Sequence, residues 1–187
     1  KRYQGGDIGY GRLFADAYKN IARYVPERKK WYIYNGQRWV QDEGSLMAME
    51  LCKDLADGLI LHSLTIKDEA QRTLFLDNAK KWQQRRFRDV YLKDAQSVYP
   101  IPMASFDNNR YLLNCSNGTL DLRTRAFHSH TPDDLVTKMC PVEYIPTAHS
   151  ERFDAFIGEI MSHDAEKARF LQKALGYGIS GDTKYEC

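Results

Sequence analysis

The sequence contains no G-x-x-x-x-G-K-[ST] string, the loop whose backbone amides cradle phosphates while its Lys and hydroxyl serve phosphate and magnesium. NTP hydrolysis is therefore not assignable to these 187 residues. No apolar run is long enough to span a bilayer, and no stretch reads as a secretory signal, so no membrane partner is expected. Closely paired cysteines are also missing: Cys52, Cys115, Cys140 and Cys187 are scattered, which predicts reduced thiols in a cytoplasm. Neither sign of charge dominates, with 27 basic and 25 acidic residues, so a nucleic-acid role must come from a local patch rather than from the whole surface. Internal repeats and low-complexity tracts are absent as well.

What is present is the composition of a globular chain, 43% hydrophobic and 28% charged. A chain of this length buries roughly 70% of the surface its unfolded form exposes, enough for one domain or a domain with a small appendage. Following Asp7, read as an N-cap, Leu13, Phe14, Ala17, Tyr18 and Ile21 form an apolar stripe closed by Pro26, a first helix. Trp31 to Tyr34 and Gln37 to Val40 flank Asn35-Gly36 and predict a hairpin over 31–40 with a two-residue type I′ turn. In that register Tyr32 faces Trp39 and Trp31 faces Val40, and so small a ribbon must pack on a helix.

Helical spacing recurs from Ser45 to about Leu64 and again from Asp68 to about Val98, with a break somewhere inside the second run. From Tyr111 to His130 the pattern becomes strand-like around Asn117-Gly118, with Leu120 and Leu122 alternating against Asp121 and Arg123. Beyond Pro146, Phe153, Phe156, Ile157, Ile160 and Met161 give the strongest helical periodicity. A last helix from about Ala165 to Leu175 is expected to end at Gly176, Gly178 and Gly181. These elements predict an α+β chain, mostly helical with two small antiparallel hairpin or sheet elements. Two lobes are expected, 1–98 and 110–187, separated by Tyr99 to Asn109.

Three stretches invite a chemical reading. Gly176-Tyr-Gly-Ile-Ser-Gly181 matches the dinucleotide fingerprint, but that motif follows a strand and opens a helix, whereas here it follows a helix and reads as its exit. His128, His130 and Cys140 lack the paired short spacings of structural zinc; both histidines read as one solvated strand face and Cys140 as a small buried hydrophobe. The basic run Lys80, Lys81, Trp82, Arg85, Arg86, Phe87, Arg88, followed by Tyr91 and Lys93, interleaves cations with rings. Such a segment either binds single-stranded DNA by neutralising phosphates and stacking bases, or turns its rings into the core and leaves the cations wet. No Ser–His–Asp or paired-carboxylate constellation stands out, so no catalytic residue is named.

Six segments occur in a telling order: Gly6-Asp7-Ile8-Gly9, Arg23-Tyr24-Val25-Pro26, Trp31-Tyr-Ile-Tyr-Asn-Gly-Gln-Arg-Trp39, Asn117-Gly-Thr-Leu-Asp-Leu-Arg123, His130-Thr-Pro-Asp-Asp-Leu-Val-Thr137 and Leu175-Gly-Tyr-Gly-Ile-Ser-Gly-Asp-Thr183. Together they resemble the domain lying directly before the superfamily 3 helicase motor in phage and plasmid primase-helicases and in the poxvirus primase-helicase. The resemblance covers nearly the whole chain. It implies a non-catalytic module that joins the motor, helps assemble it and guides DNA, with the chain stopping just before the motor at Cys187. The parent protein it implies is a homo-hexamer that hydrolyses NTP with Mg2+ in the motor and unwinds DNA, often with a primase domain upstream, in the cytoplasm of a bacterial host. No cofactor is expected in this chain itself. An independent DNA-binding module is the second expectation and an enzyme in its own right the third. Two departures stand out: Tyr10 where relatives commonly carry Asn, and Arg125 where they carry a turn glycine, which predicts a different turn before Ala126.

Overall fold

The structure, a computed structural model, describes residues 2–3, 6–181 and 184; Asp182, Thr183 and Cys187, which the sequence reading includes, lie outside the described residues. The described residues form six α-helices and two three-stranded antiparallel sheets, an α+β fold. In order these are α1 (Asp7–Tyr18), β1 (Ala22–Val25), β2 (Lys30–Tyr34), β3 (Trp39–Asp42), α2 (Leu46–Ser63), α3 (Glu69–Lys81) and α4 (Arg85–Ala95). Then come β4 (Leu112–Cys115), β5 (Gly118–Asp121), β6 (Phe127–His128), α5 (Glu151–Ile160) and α6 (Ala165–Gly178). Contacts divide the chain into two units: Lys1–Asn35 with Trp39–Phe106, and Gly36–Arg38 with Asp107–Cys187.

In the first unit α1 ends at Tyr18 and not near Pro26, and Asp7 is its first helical residue with Gly6 at the cap position. Ala22 to Val25 leave the helical stripe because they pair with β2, Ala22 opposite Ile33 and Val25 opposite Lys30. A two-stranded ribbon is marginal alone, and the third strand supplies the missing ladder. On β2's other side the hairpin register also differs from expectation: Tyr34 faces Trp39 and Ile33 faces Val40, which leaves a four-residue loop. A type I′ turn needs positive φ at both central residues. Gly36 has it at 95°, but Asn35 is not among the residues with positive φ. The shift is two residues, so every side chain keeps its face. Trp31 and Ile33 join Phe14, Cys52, Trp82 and Tyr91 in the core against the helices, while Tyr32 and Trp39 pack on Phe106 from the other side.

The long second helical run breaks at Trp82 to Gln84. Asp68 caps α3 by accepting from the Gln71 amide, and α4 restarts at Arg85. The Cys52 thiol is wholly buried, and that burial pushes it up to about 12, so it is a core packing group and not a nucleophile.

In the second unit the segment around Asn117-Gly118 is the β4–β5 hairpin, with Leu113 opposite Leu120 and Cys115 opposite Gly118. Gly118 has a φ of 154°, and a β-carbon there would stand 2.5 Å from the His128 carbonyl oxygen, so β6 can close on β5 only over a glycine. The strand ends at Asp121, one residue before Leu122. Its carboxylate accepts from the amides of Arg123 (2.8 Å) and Thr124 (3.2 Å), which hold it below the usual carboxylate range and wind the chain into a turn. Arg125 sits in that turn at a φ of 62°, with its amide on the Asp121 carbonyl at 2.7 Å. The arginine thus takes the left-handed conformation that favours glycine, held there by the Asp121 network. Arg125→Gly is expected to raise stability by about 0.5 kcal/mol, the relief of left-handed strain partly offset by glycine's greater unfolded entropy, read as a higher thermal midpoint.

Helix α6 also runs beyond Leu175, through Gly176 to Gly178, with Ile179 as its cap residue. Leu171, Leu175 and Ile179 continue one apolar stripe through the glycines, and Gly176 and Gly178 are helical residues and not a phosphate-cradling loop.

Candidate nucleic-acid interface and docking face

The basic run spans the end of α3, the bend and α4. Trp82 lies at the bend and is fully buried; its ring packs on Tyr91 at 4.7 Å and on Tyr10 at 5.9 Å between centroids. It anchors two helices into the core and is not available to stack on a base, which corrects its place among the candidate contacts. Tyr91 is buried too, and that burial pushes its phenol up to about 12. Phe87 is half-buried and stacked on Tyr91 at 6.0 Å, with the Arg86 guanidinium over its ring at 4.7 Å.

The cations divide by position. Lys80, Arg85, Arg86 and Lys93 are exposed, whereas Lys81 and Arg88 are half-buried. Lys80 faces Asp77 at 3.5 Å, Lys81 donates to the Asn78 side chain at 2.9 Å, and Arg85 faces Asp89 at 3.7 Å. Arg88 donates from Nη1 to the Trp82 carbonyl at 2.7 Å. Arg85, Arg88 and Lys93 line one cleft, which they share with Lys53 of α2. Lys80, Lys81, Arg86 and Trp82 are not among the residues lining it. Sequence reasoning missed Lys53, because nothing in the local pattern reveals that α2 and α4 are neighbours.

The histidines and Cys140 play structural parts. His130 Nε2 lies 2.8 Å from the Cys115 carbonyl oxygen and His128 Nδ1 lies 2.8 Å from that of Ser129. His128 keeps 41% of its side chain exposed, His130 is half-buried, and Cys140 is half-buried and not enclosed. Among the described residues no group of three His, Cys, Asp or Glu is placed to hold a metal ion. Asn117 reads both backbone groups of Tyr144, accepting from its amide at 2.9 Å and donating to its carbonyl at 3.0 Å. The buried Asn114 donates to the carbonyls of Gln37 and Lys138, and Asp107 accepts from the Thr137 amide and hydroxyl. The residues of the Asn117 to Arg123 and His130 to Thr137 segments thus hold the second unit together.

Helices α5 and α6 are well capped, by Ser150 and Asp164, yet neither contains a buried residue. Phe153, Phe156 and Ile160 on α5 and Phe170 and Leu175 on α6 are about half exposed or more. An apolar stripe on a helix is ordinarily turned to a core, whereas these side chains keep about half of their surface or more exposed. A cleft of about 560 Å³ between the two helices is lined by Phe153, Ile157, Leu171 and Leu175.

The family model described as D5 N terminal like matches residues 11–162 of this chain. The chain belongs to that family. It is the domain that precedes the helicase in primase-helicases. The matched span of this D5 N-terminal-like domain runs from α1, through both sheets, to the turn after α5, so the basic run and the two structural segments of the second unit fall inside it and α6 lies beyond. No curated protein matches the chain. No helix among the described residues is long and apolar enough to cross a membrane.

Proposed function

We propose that this domain joins the helicase motor of its parent protein and helps six copies assemble, with α5 and α6 as the seat. The observation that carries this is the pair of capped amphipathic helices with no buried residue and several half-exposed aromatic rings. Exposed apolar area of this kind on a helical pair marks an interaction site. Membership of the family that precedes the helicase supports reading the motor as the partner. In this reading ATP or another NTP and Mg2+ are bound by the motor, and this domain contributes position and not chemistry. The test is made in the full-length parent protein. Phe156→Glu with Phe170→Glu, two exposed positions, is expected to convert hexamers into smaller species by mass photometry, and deleting 151–178 is expected to do the same. Intact hexamers after both changes overturn the assembly role.

The second reading is contact with single-stranded DNA. It is favoured by the convergence of Arg85, Arg88 and Lys93 from α4 with Lys53 from α2 on one cleft.

A further inference from the structure

We propose that the cleft between the start of α2 and the outer face of α4 is a track for the sugar-phosphate backbone of single-stranded nucleic acid, one that grips phosphates and does not stack bases. This rests on the second reading above and gives it a place and a chemistry. One wall is Gly44 to Lys53. The other is the α4 face carrying Arg85, Arg88, Asp89, Leu92, Lys93 and Gln96, residues that recur with helical spacing. The cleft holds about 570 Å³.

Its charge is uneven. Lys53, Arg85, Arg88 and Lys93 stand against Glu50 and Asp89, four cations to two carboxylates. The Lys53–Glu50 pair (2.5 Å) and the Arg85–Asp89 pair (3.7 Å) are both solvent-exposed, so they contribute little, and an incoming phosphate can draw the cations to itself. Lys93 is exposed. Arg88 is held differently: its Nη1 donates to the Trp82 carbonyl at 2.7 Å and its Nε reaches the Met49 sulfur at 3.4 Å. Its guanidinium is thereby oriented before any ligand arrives, which lowers the entropy lost on binding. Leu46, largely exposed, and Met49 give the cleft an apolar surface for sugar rings.

Among the described residues no aromatic ring lines this cleft. The rings of the neighbouring basic run are committed elsewhere, Trp82 and Tyr91 to the core and Phe87 to Tyr91. Aromatic stacking is the usual source of base contact in single-strand binders. Without it the cleft must bind through phosphates alone, with no preference for base and a strong dependence on salt. Neutralising three or four phosphates predicts a slope of about −2 to −3 in log K against log salt.

The experiment compares the 187-residue chain with two charge-reversal pairs, each checked by circular dichroism, against a fluorescent oligothymidylate and an abasic strand of equal length at several salt concentrations. The wild type is expected to bind both strands alike. Lys53→Glu with Lys93→Glu is expected to weaken binding about tenfold or more at low salt and to flatten the slope by about 1.4. Lys80→Glu with Arg86→Glu, outside the cleft, is expected to stay within about twofold of wild type, since charges beyond the contact are screened. Loss of binding to the abasic strand, or an equal loss in both pairs, overturns the cleft while leaving contact with DNA standing. A wild-type chain that binds neither strand overturns both.

Discussion

Gly11→Ala is expected to destabilise the first unit by about 2 kcal/mol, although alanine is the better helix former. Gly11 lies inside α1 and is buried where that helix crosses α4. A β-carbon at residue 11 would stand 2.7 Å from Asp94 Cβ and 3.0 Å from the Ala95 nitrogen. Backbone and the first side-chain carbon cannot swing aside as a side-chain tip does, so the helices must part. Parting them loosens Phe14, Ala15, Tyr91, Leu92 and Ala95, all buried in the same core. Overpacking of this kind costs about 1 to 3 kcal/mol, to which the helix propensity gain of about 1 kcal/mol runs opposite. Because the whole α1–α4 seam is affected, the upper part of that range is expected before the propensity gain is subtracted. The change corresponds to a fall of about 4 to 8 °C in midpoint for a chain of this size. Gly58→Ala is the internal control. Gly58 is also helical, in α2, but a β-carbon there meets nothing within 4 Å. It is expected to gain about 0.5 to 1 kcal/mol. Thermal melts followed by tryptophan fluorescence check both; a Gly11→Ala chain as stable as wild type removes the close approach as the reason for glycine.

Asp42→Ala is expected to cost about 2 to 3 kcal/mol, because it unmakes the start of α2. The residue in the N-cap position, Ser45, is left-handed at a φ of 58° and makes no side-chain cap. The cap comes instead from Asp42 at the end of β3, whose carboxylate is buried and accepts from the amides of Met47 (3.0 Å) and Ala48 (2.8 Å). One carboxylate therefore both ends the sheet and opens the helix. Alanine leaves two amide donors without an acceptor, one of them buried, and stranded donors lose their hydration as well as their partner. Asp42→Asn is expected to recover only part of the loss, since its single amide oxygen replaces two carboxylate oxygens and the amide nitrogen meets an N–H. Urea unfolding checks the order wild type, then Asn, then Ala. An Asn variant equal to wild type would show that one hydrogen bond suffices.

The helices were legible wherever an apolar stripe had a clear stop. Asp68 marks the real start of α3 and the Ser45 to Leu64 reading is α2 to within a residue, whereas the break at Trp82 to Gln84 had no such stop and was not located. The stripe through Ile21 misled because β-pairing outweighed helical spacing: the Ile21 carbonyl accepts from the Tyr34 amide at 2.8 Å, and the chain from Ala22 is drawn into the sheet. The hairpin was legible as to faces but not as to register, since period-two alternation is blind to a shift of two. Within the basic run, local pattern misplaced Trp82, which is fully buried. A ring among cations reads alike whether it faces solvent or core, and only the packing of Tyr10 and Tyr91 on it decides.

The sequence by itself determined the α+β class, the two small sheets and the family, because these follow from periodicity and from the order of short segments along one chain. It also singled out α5 as the most amphipathic stretch. Only the tertiary structure decided that Lys53 joins Arg85, Arg88 and Lys93, that Asp42 caps a helix it does not belong to, and that α5 and α6 leave their apolar faces open. Each of those facts depends on which elements lie side by side. Neighbourhood between distant segments is set by core packing and hydrogen bonding across the fold, and neither writes a periodic signature into the residues that will meet.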